Sequence, residues 1–296
     1  MMKKLWRKLG LLTLMLALAL SVCVAAEAET LTAYGAEFDS EAAVIDLDEK
    51  GIVVKNITEL KTLIEQMPNL TEVHMYDSKL TREQMDELFD GYPNIFFGWT
   101  LKLYTHTIRT DTTAFSTLHG HQGKKDDPFH TTKQLSMLRY CKNLEALDIG
   151  HNYLTNLDFL TELPHLKILI IAANYQCTGD LTPLASLTEL EYLEIFSTNT
   201  TDVSPLAALT NLRDLNVTYN RKLKDISPLY DLPNLERFWC GYTAVPQEQR
   251  AAMEAAHPNC EFDWVSQPTE GTWRKHPHYD TIYKVFQESV YYPFDD

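Results

Sequence analysis

The middle of the chain repeats one pattern of apolar positions five times. Each copy approximates the form LxxLxIxxN, and successive copies start 22, 24, 22 and 23 residues apart. Their first leucines are Leu144, Leu166, Leu190, Leu212 and Leu235. Inside a copy the apolar positions alternate with other residues, which is the period of a β-strand that buries one face. A unit of roughly 20 to 29 residues cannot bury that face alone, so the pattern predicts stacked repeats with one parallel sheet over a continuous core.

Between the strands, the chain must return to the start of the next repeat. Three of the return segments read DLTPLASL, DVSPLAAL and DISPLYDL. Because proline lacks a backbone N–H and fixes φ, these segments predict turns or short 3₁₀ helices instead of long α-helices. At the bend after the strand, Asn152, Asn174 and Asn220 offer short amide side chains to backbone groups that the bend leaves unpaired.

These repeats and return segments resemble the leucine-rich repeat family. The proline-containing segments are similar to the short repeats of internalins, bacterial surface proteins whose inner, strand-lined face binds other proteins. The resemblance implies an α/β solenoid: a leucine-rich repeat horseshoe with a parallel β-sheet on the concave face, a helical or 3₁₀ convex side and a cap at each end. It also implies an exported bacterial binding module that recognises a protein or peptide through its concave face. A glycan-binding surface protein is the alternative.

The flanks of the central repeats predict longer, helical units. One 25-residue unit begins at Leu70, another joins Leu235 to Cys260, and their return segments TREQMDELFDGYPN and PQEQRAAMEAAHPN are rich in helix formers. We expect an N-terminal segment and cap over residues 29–69, a repeat array over 70–264, and a linker and capping helix over 265–296. The last helix is expected to cover the open end of the solenoid, because repeat arrays need capped ends.

The repeat pattern fails between about residues 98 and 132. GWTLKLYTHTIRT alternates like a strand and DTTAFSTLHGHQGKKDDPFH has the composition of a loop, so this insertion is either a degenerate repeat or an excursion from the solenoid. Histidines and acids of types that bind zinc occur in it. These are His119, His121, Asp126, Asp127 and His130. Their spacing matches no motif, and exposed loop histidines are the favoured interpretation, so no metal site is assigned.

Residues 1–28 have the arrangement of a signal peptide. Basic residues precede an apolar run, and AEA follows as a cleavage site. No second apolar segment of about 18 residues follows, so the mature chain is expected to be secreted or at the cell surface without a transmembrane segment. Lipid attachment at Cys23 is the less favoured alternative. Residues 1–28 hold four positive charges and one negative charge, so their loss takes the net charge from −15 to −18, which disfavours nucleic acid as a partner.

Four cysteines remain after such a cleavage. Cys141 and Cys240 occupy repeat positions that are otherwise apolar, and Cys260 follows HPN as Leu235 follows LPN, so all three cysteines are predicted to face the core. Cys177 lies in a two-residue expansion of one repeat and is expected to be exposed. We therefore expect free thiols and no disulfide framework.

Catalytic and cofactor motifs are absent from the sequence. No GxSxG, GxxxxGK[ST] or HExxH pattern occurs, so we expect neither an enzyme nor a bound cofactor. The remaining enzymatic alternative is a hydrolase with its site in the loop over residues 104–132.

The candidate binding residues are those that face away from the core on the last three central strands. Successive side chains on a strand alternate faces, so the residues two, four, six and seven places after the first leucine are expected to look out from the sheet. The candidates are Tyr192, Glu194, Phe196, Asp214, Asn216, Tyr219, Arg237, Trp239 and Tyr242. Tyr, Trp and Arg are enriched at binding hot spots, so we predict one ligand-binding patch. The alternative is that these rings pack on one another or beneath the irregular loop.

Overall fold

A computed structural model describes residues 29–104, 106–118, 129–269 and 272–294. Its N-terminal part starts with an antiparallel hairpin, after which three parallel strands alternate with two α-helices. The elements are β1 (Thr30–Ala33), β2 (Ala36–Asp39), β3 (Val44–Asp46), α1 (Ile57–Ile64), β4 (Glu72–His74), α2 (Arg82–Gly91) and β5 (Phe96–Gly98). The helical return segment predicted for the first long repeat is thus α2, which begins with a capping box formed by Thr81 and Gln84.

The irregular segment contains both features that the sequence allows. An antiparallel hairpin of β6 (Thr100–Leu103) and β7 (His106–Arg109) leaves the repeat pattern. The next strand, β8 (Ala114–Ser116), returns to it by pairing in parallel with the first central repeat. Residues 98–118 therefore combine an excursion with a degenerate repeat.

The central repeats form a parallel sheet of seven strands, in which neighbours in sequence are neighbours in space. After β8 and the short helix α3 (Thr132–Leu135), the strands are β9 (Ala146–Asp148), β10 (Ile168–Ile170), β11 (Tyr192–Glu194), β12 (Asp214–Asn216), β13 (Arg237–Trp239) and β14 (Glu261–Asp263). The middle residue of each strand points into the core in register with its neighbours. Leu147, Leu169, Leu193 and Leu215 thereby form a fully buried ladder. The predicted leucine-rich repeat solenoid is confirmed.

The convex side consists mostly of short 3₁₀ helices, as the return segments predict. They span Ser136–Tyr140, Asp158–Glu162, Thr182–Ser186, Ser204–Ala208 and Ser227–Leu229. In the last three, proline occupies the first turn, where its missing N–H costs no hydrogen bond. The final long repeat returns instead through an α-helix, α4 (Gln247–Ala256), as its composition predicts.

Asparagine side chains form hydrogen bonds between adjacent repeats at the bend. The Nδ2 of Asn174 donates to the carbonyl of Ile171 at 2.8 Å and to that of Ile149, in the preceding repeat, at 3.0 Å. Asn220 makes the same pair of bonds to Val217 and Ile195. Each amide therefore satisfies carbonyls that are buried between two repeats.

The cysteines follow the repeat register, with one correction. Cys141 and Cys240 are fully buried as predicted, and burial raises the pKa of Cys240 to about 12. Cys177 is buried too, although an exposed position was expected, because the expanded loop folds back over the core. Cys260 is half-buried, and all four are free thiols.

The C-terminal helix α5 (Pro277–Glu288) does not cap the end of the solenoid as expected. It lies across the concave face of the sheet, against β8 and β9. The reason is a match of apolar surfaces. Ile282, Val285 and Phe286 of the helix pack with outward residues of the first strands, among them Ala146 and Ile168. Along the described residues, no helix combines the length and the hydropathy needed to cross a bilayer.

Candidate functional site

Strands β11, β12 and β13 bring six of the nine predicted residues into an array of two rows. The rows are Tyr192, Asp214 and Arg237, and Glu194, Asn216 and Trp239. Their side chains lie on the face opposite the leucine ladder, as the alternation predicts. We call these six residues the concave array. The other three candidates, Phe196, Tyr219 and Tyr242, follow the ends of the same strands.

The concave array is not open to solvent, which corrects the expectation of an accessible patch. All six of its residues are buried, as is Phe196, whereas Tyr219 is half-buried and Tyr242 is exposed. The cover is formed by residues 265–269 and 272–294, which we call the C-terminal segment. The outward rings are therefore packed against another part of the same chain. Binding of a separate ligand by these residues stays a prediction.

Trp273 is the apolar centre of this contact. Its ring lies 5.1 Å from Trp239 and 5.5 Å from Tyr192, centroid to centroid, and is fully buried. Phe294 reaches the same place from the end of the segment, at 6.2 Å from Tyr192. Tilted ring pairs at these separations are favourable beyond the area that they bury.

Glu194 is the first of two buried carboxylates that hold the segment. It accepts two hydrogen bonds from the guanidinium of Arg274, at 2.6 and 2.8 Å, and one from Nε1 of Trp273 at 3.0 Å. The hydroxyl of Tyr192 donates to it as well. Burial alone would lower the pKa of Arg274, but the charge of Glu194 outweighs it and raises that pKa above its ordinary value. The result is a bidentate ion pair, which fixes both position and orientation.

Asp214 is the second buried carboxylate. It accepts hydrogen bonds from Nε and Nη2 of Arg237 at 2.7 and 2.9 Å, and Nδ1 of His278 lies 2.6 Å from its Oδ2. Burial would raise the pKa of Asp214, but the bonds from His278 and Arg237 lower it below its ordinary value. An ionised carboxylate only accepts, so Nδ1 of His278 carries the proton of this bond.

The sheet also contacts the backbone of the segment. Nδ2 of Asn216 donates to the carbonyl of Pro268 at 2.9 Å, and Nη1 of Arg237 donates to that of Trp273 at 3.3 Å. Gly241 allows a close approach here, because a Cβ atom at that position would lie 2.3 Å from the carbonyl oxygen of Ser266. The concave face thus contacts both the main chain and the side chains of the C-terminal segment.

The residues that sequence reasoning missed all belong to the C-terminal segment. Trp273, Arg274 and His278 lie in the stretch TWRKHPHYD, where aromatic, cationic and imidazole side chains are concentrated. The acids that contact this stretch, Glu194 and Asp214, face outwards on neighbouring strands. The opposite charges of the two regions can be read from the sequence. Their contact could not be inferred from it, because the two regions are far apart along the chain.

A second surface follows the ends of the strands. Tyr153, Tyr175, Tyr219 and Tyr242 lie at the bends after β9, β10, β12 and β13, and we call them the aromatic edge. The rings of Tyr219 and Tyr242 are parallel, with centroids 4.4 Å apart. Both residues have left-handed φ angles, 60° and 56°. The equivalent residues of the other central repeats, His151, Ala173 and Ser197, have the same backbone, so the left-handed φ is a feature of the repeat.

The structure describes only one of the five candidate metal ligands of the irregular loop, His130. His119, His121, Asp126 and Asp127 lie outside the described residues. His130 is buried, with Nε2 3.1 Å from the carbonyl oxygen of Leu103. Over the residues that the structure describes, no group of three His, Cys, Asp or Glu side chains has an arrangement that holds a metal ion.

Comparison with known proteins agrees with the repeat fold. A family model described as leucine-rich repeats (2 copies) matches residues 188–231, which span β11 and β12. No curated protein matches the chain. The repeats that the sequence pattern predicts are therefore recognised as leucine-rich repeats, and the chain has the leucine-rich repeat fold.

Solved structures of internalins are similar to this chain. It is 19% identical to an internalin (inlF) of Listeria monocytogenes, with 79% of this chain and 60% of that one covered and a TM-score of 0.42. It is 22% identical to internalin C2 (inlC2) of the same organism, with 76% and 80% covered and a TM-score of 0.39. The Arabidopsis receptor kinase HAESA ectodomain, solved with a peptide hormone, is 17% identical, with 82% and 40% covered and a TM-score of 0.34.

Proposed function

We propose that the protein is an exported, non-catalytic binding module whose concave array recognises a protein or peptide segment. In this structure the C-terminal segment of the same chain occupies the array. The observation that supports the proposal is the bidentate pair between Glu194 and Arg274, because a buried carboxylate in this geometry favours a guanidinium by both charge and shape. A ligand presenting equivalent groups would compete for the same place.

The contact between the sheet and the C-terminal segment is separate from the core of the solenoid and resembles a binding interface. The apolar residues between the sheet and the C-terminal segment form a cluster of their own, separate from the core of the solenoid. At the centre of the contact stand two buried carboxylates, Glu194 and Asp214, each bonded to a cationic or imidazole side chain. Buried ion pairs add little net stability and mainly impose specificity.

The C-terminal segment does not supply a hydrogen-bond partner to every buried polar group of the concave face. Nε1 of Trp239 and Oγ1 of Thr218 are buried on this face without a hydrogen-bond partner among the described residues. Each such group costs about 1–3 kcal/mol. A ligand that satisfied them would gain an advantage over the C-terminal segment.

A ligand of the concave array must compete with the C-terminal segment. The C-terminal segment is tethered, and a flexible tether gives an effective concentration in the range of ~1 mM. A ligand has to exceed that advantage, so we expect it to place a cation against Glu194 and an aromatic ring between Tyr192 and Trp239. A protein that also contacts surface outside the array meets this demand better than a short free peptide does.

A full-length variant with a weakened C-terminal segment tests the proposal. Trp273→Ala combined with Arg274→Ala removes the central ring and the cation, and a fluorescent peptide copying residues 272–294 serves as the probe. We expect the peptide to bind this variant and not the natural chain, measured by fluorescence anisotropy. Adding Glu194→Gln to the variant should abolish the binding.

Lys275→Ala in the natural chain is the matched control, since this neighbour of Arg274 is exposed. A folded double variant that fails to bind the peptide would show that the array is not a peptide site. Export is tested separately, by sequencing the N-terminus of protein recovered outside the cell, where cleavage near Ala28 is expected.

A further inference from the structure

We propose that a cleft on the aromatic edge binds an oligosaccharide that carries a carboxylate. The cleft has a volume of about 500 Å³ and lies between the bends after β10, β11 and β12 and residues 267–268 of the C-terminal segment. It is lined by Tyr175, Ser197, Asn199, Tyr219, Arg221 and Lys222, with Phe196 as its floor. The volume is in the range of small-ligand sites. The cleft lies outside the concave array, so this inference goes beyond the function proposed above.

The charge of the cleft points to an anion. Arg221 and Lys222 line it, no acidic residue does, and neither cation forms an ion pair with a carboxylate in the part of the chain that the structure describes. Four other clefts of the described chain each include at least one acid, such as Glu65, Asp111 or Glu191. In a chain with 41 acidic and 26 basic residues, this cleft is a local exception. An Arg and a Lys side by side favour a carboxylate ligand.

Two tyrosine rings line the cleft. Tyr175 is 71% exposed, and Tyr219 is backed by the parallel ring of Tyr242. The guanidinium of Arg221 lies 5.3 Å from the centroid of Tyr219, so cation and ring face the same space. A sugar ring has one apolar C–H face and a rim of hydroxyls, which suits a tyrosine ring beside polar groups.

Polar groups in the cleft complement hydroxyls. Nδ2 of Asn199 donates to the carbonyls of Tyr175 and Cys177 at 2.9 and 3.2 Å, which leaves its Oδ1 as an acceptor that no described donor engages. Ser197 and Gln267 add groups that both donate and accept. The loop is pre-shaped, because Gly179 has a φ of +77° and a Cβ there would lie 2.4 Å from the carbonyl oxygen of Asn199. A preorganised site loses less entropy when it binds.

A peptide or a nucleic acid fits this cleft less well. The cleft follows β10, β11 and β12, which are paired on both sides, so no free strand edge is available to a peptide backbone. The net charge of −15 repels a phosphate backbone over its length. One compact carboxylate with neighbouring hydroxyls is the chemistry that the lining matches.

The test begins with the full chain on an array of uronate- and sialate-bearing oligosaccharides. A disaccharide of one galacturonate and one galactose and its methyl ester then form a matched pair for calorimetry, because the ester removes the single charge and keeps the sugar. We expect the acid to bind at least about tenfold more tightly than the ester, and Arg221→Gln with Lys222→Gln to remove that difference. Tyr219→Ala should weaken both ligands, whereas Lys224→Gln, an exposed lysine outside the lining, should change neither.

Three outcomes would overturn the inference. One is an array on which no acidic oligosaccharide binds. Another is equal affinity of the natural chain and the Arg221→Gln, Lys222→Gln variant for the acid. The third is a hexaglutamate peptide that binds through the same residues at least as tightly, which would assign the cleft to acidic peptides. Melting curves of each variant establish that it is folded.

Discussion

Glu194 and Arg274 are 80 residues apart in the sequence and form a bidentate ion pair in which the carboxylate is fully buried. Because Glu194 belongs to the central strand β11, the pair joins the C-terminal segment to the middle of the sheet. Burial has two consequences for this ion pair. The intact pair contributes mainly to the specificity of the contact. When one partner is removed, the charge of the other partner is left buried and poorly solvated.

Arg274→Ala should therefore be strongly destabilising, by about 3–5 kcal/mol, since it leaves the Glu194 carboxylate buried without its cation. Glu194→Gln added to Arg274→Ala should recover part of the loss, because the remaining amide is neutral. Denaturant unfolding of the two single variants and the double variant gives the coupling energy of the pair. Strictly additive losses would contradict the buried-pair interpretation.

Gly241→Ala should loosen the C-terminal segment without disturbing the repeats. A Cβ at Gly241 would lie 2.3 Å from the carbonyl oxygen of Ser266, which is too close for two non-bonded atoms. We expect faster proteolysis between residues 264 and 273 and a lower melting temperature. Gly91→Ala is the control, since a Cβ there meets no atom within 4 Å. Equal proteolysis of both variants would show that the linker does not depend on the close approach.

The repeats were predictable because each apolar position has one physical role. Leu169 or Leu193 lies in a pattern that permits only burial between neighbouring repeats, so fold and register follow from spacing. Outward positions are different. An outward Tyr192 or Trp239 indicates that something covers the ring, but the pattern is the same whether the cover is another protein or the same chain.

The position of α5 escaped prediction for a related reason. Ile282, Val285 and Phe286 show that one face of the helix is buried, and periodicity gives no information on the partner surface. The burial of Cys177 was not predicted, because a two-residue expansion of a loop can fold inwards as well as outwards. The contact of Arg274 with Glu194 required the three-dimensional path of residues 265–274, which sequence spacing does not provide.

Acid should release the C-terminal segment through Asp214. Its pKa is lowered in the folded chain, so its stabilising contribution is complete above the ordinary value of 3.8 and is lost as the pH falls through the lower folded value. Burial lowers the pKa of His276, which adds a weaker loss of stability as the pH falls below the ordinary value of 6.5.

Fluorescence of Trp239 and Trp273 between pH 7 and 2 measures this release. We expect a small change below pH 6.5 and the main transition below 3.8, with Asp214→Asn removing the main transition and His276→Gln only the first. A single transition near neutral pH that both variants retain would rule out these two groups as its origin.

Trp239→Ala should lower the stability of the fold much more than Tyr219→Ala, although the sequence pattern places both residues in one patch. Trp239 is 1% exposed and packs on Trp273, so its truncation leaves a cavity that costs about 3–5 kcal/mol and lowers the melting temperature. Tyr219 is half-buried at a left-handed position, where alanine removes little burial, so its melting temperature should change by no more than a few degrees. Tyr219→Gly adds a further check, because glycine relieves the backbone cost and should be at least as stable as alanine there. Differential scanning calorimetry of the three variants decides the matter: if Trp239→Ala melts like the natural chain, the C-terminal segment is not docked on the concave array in solution.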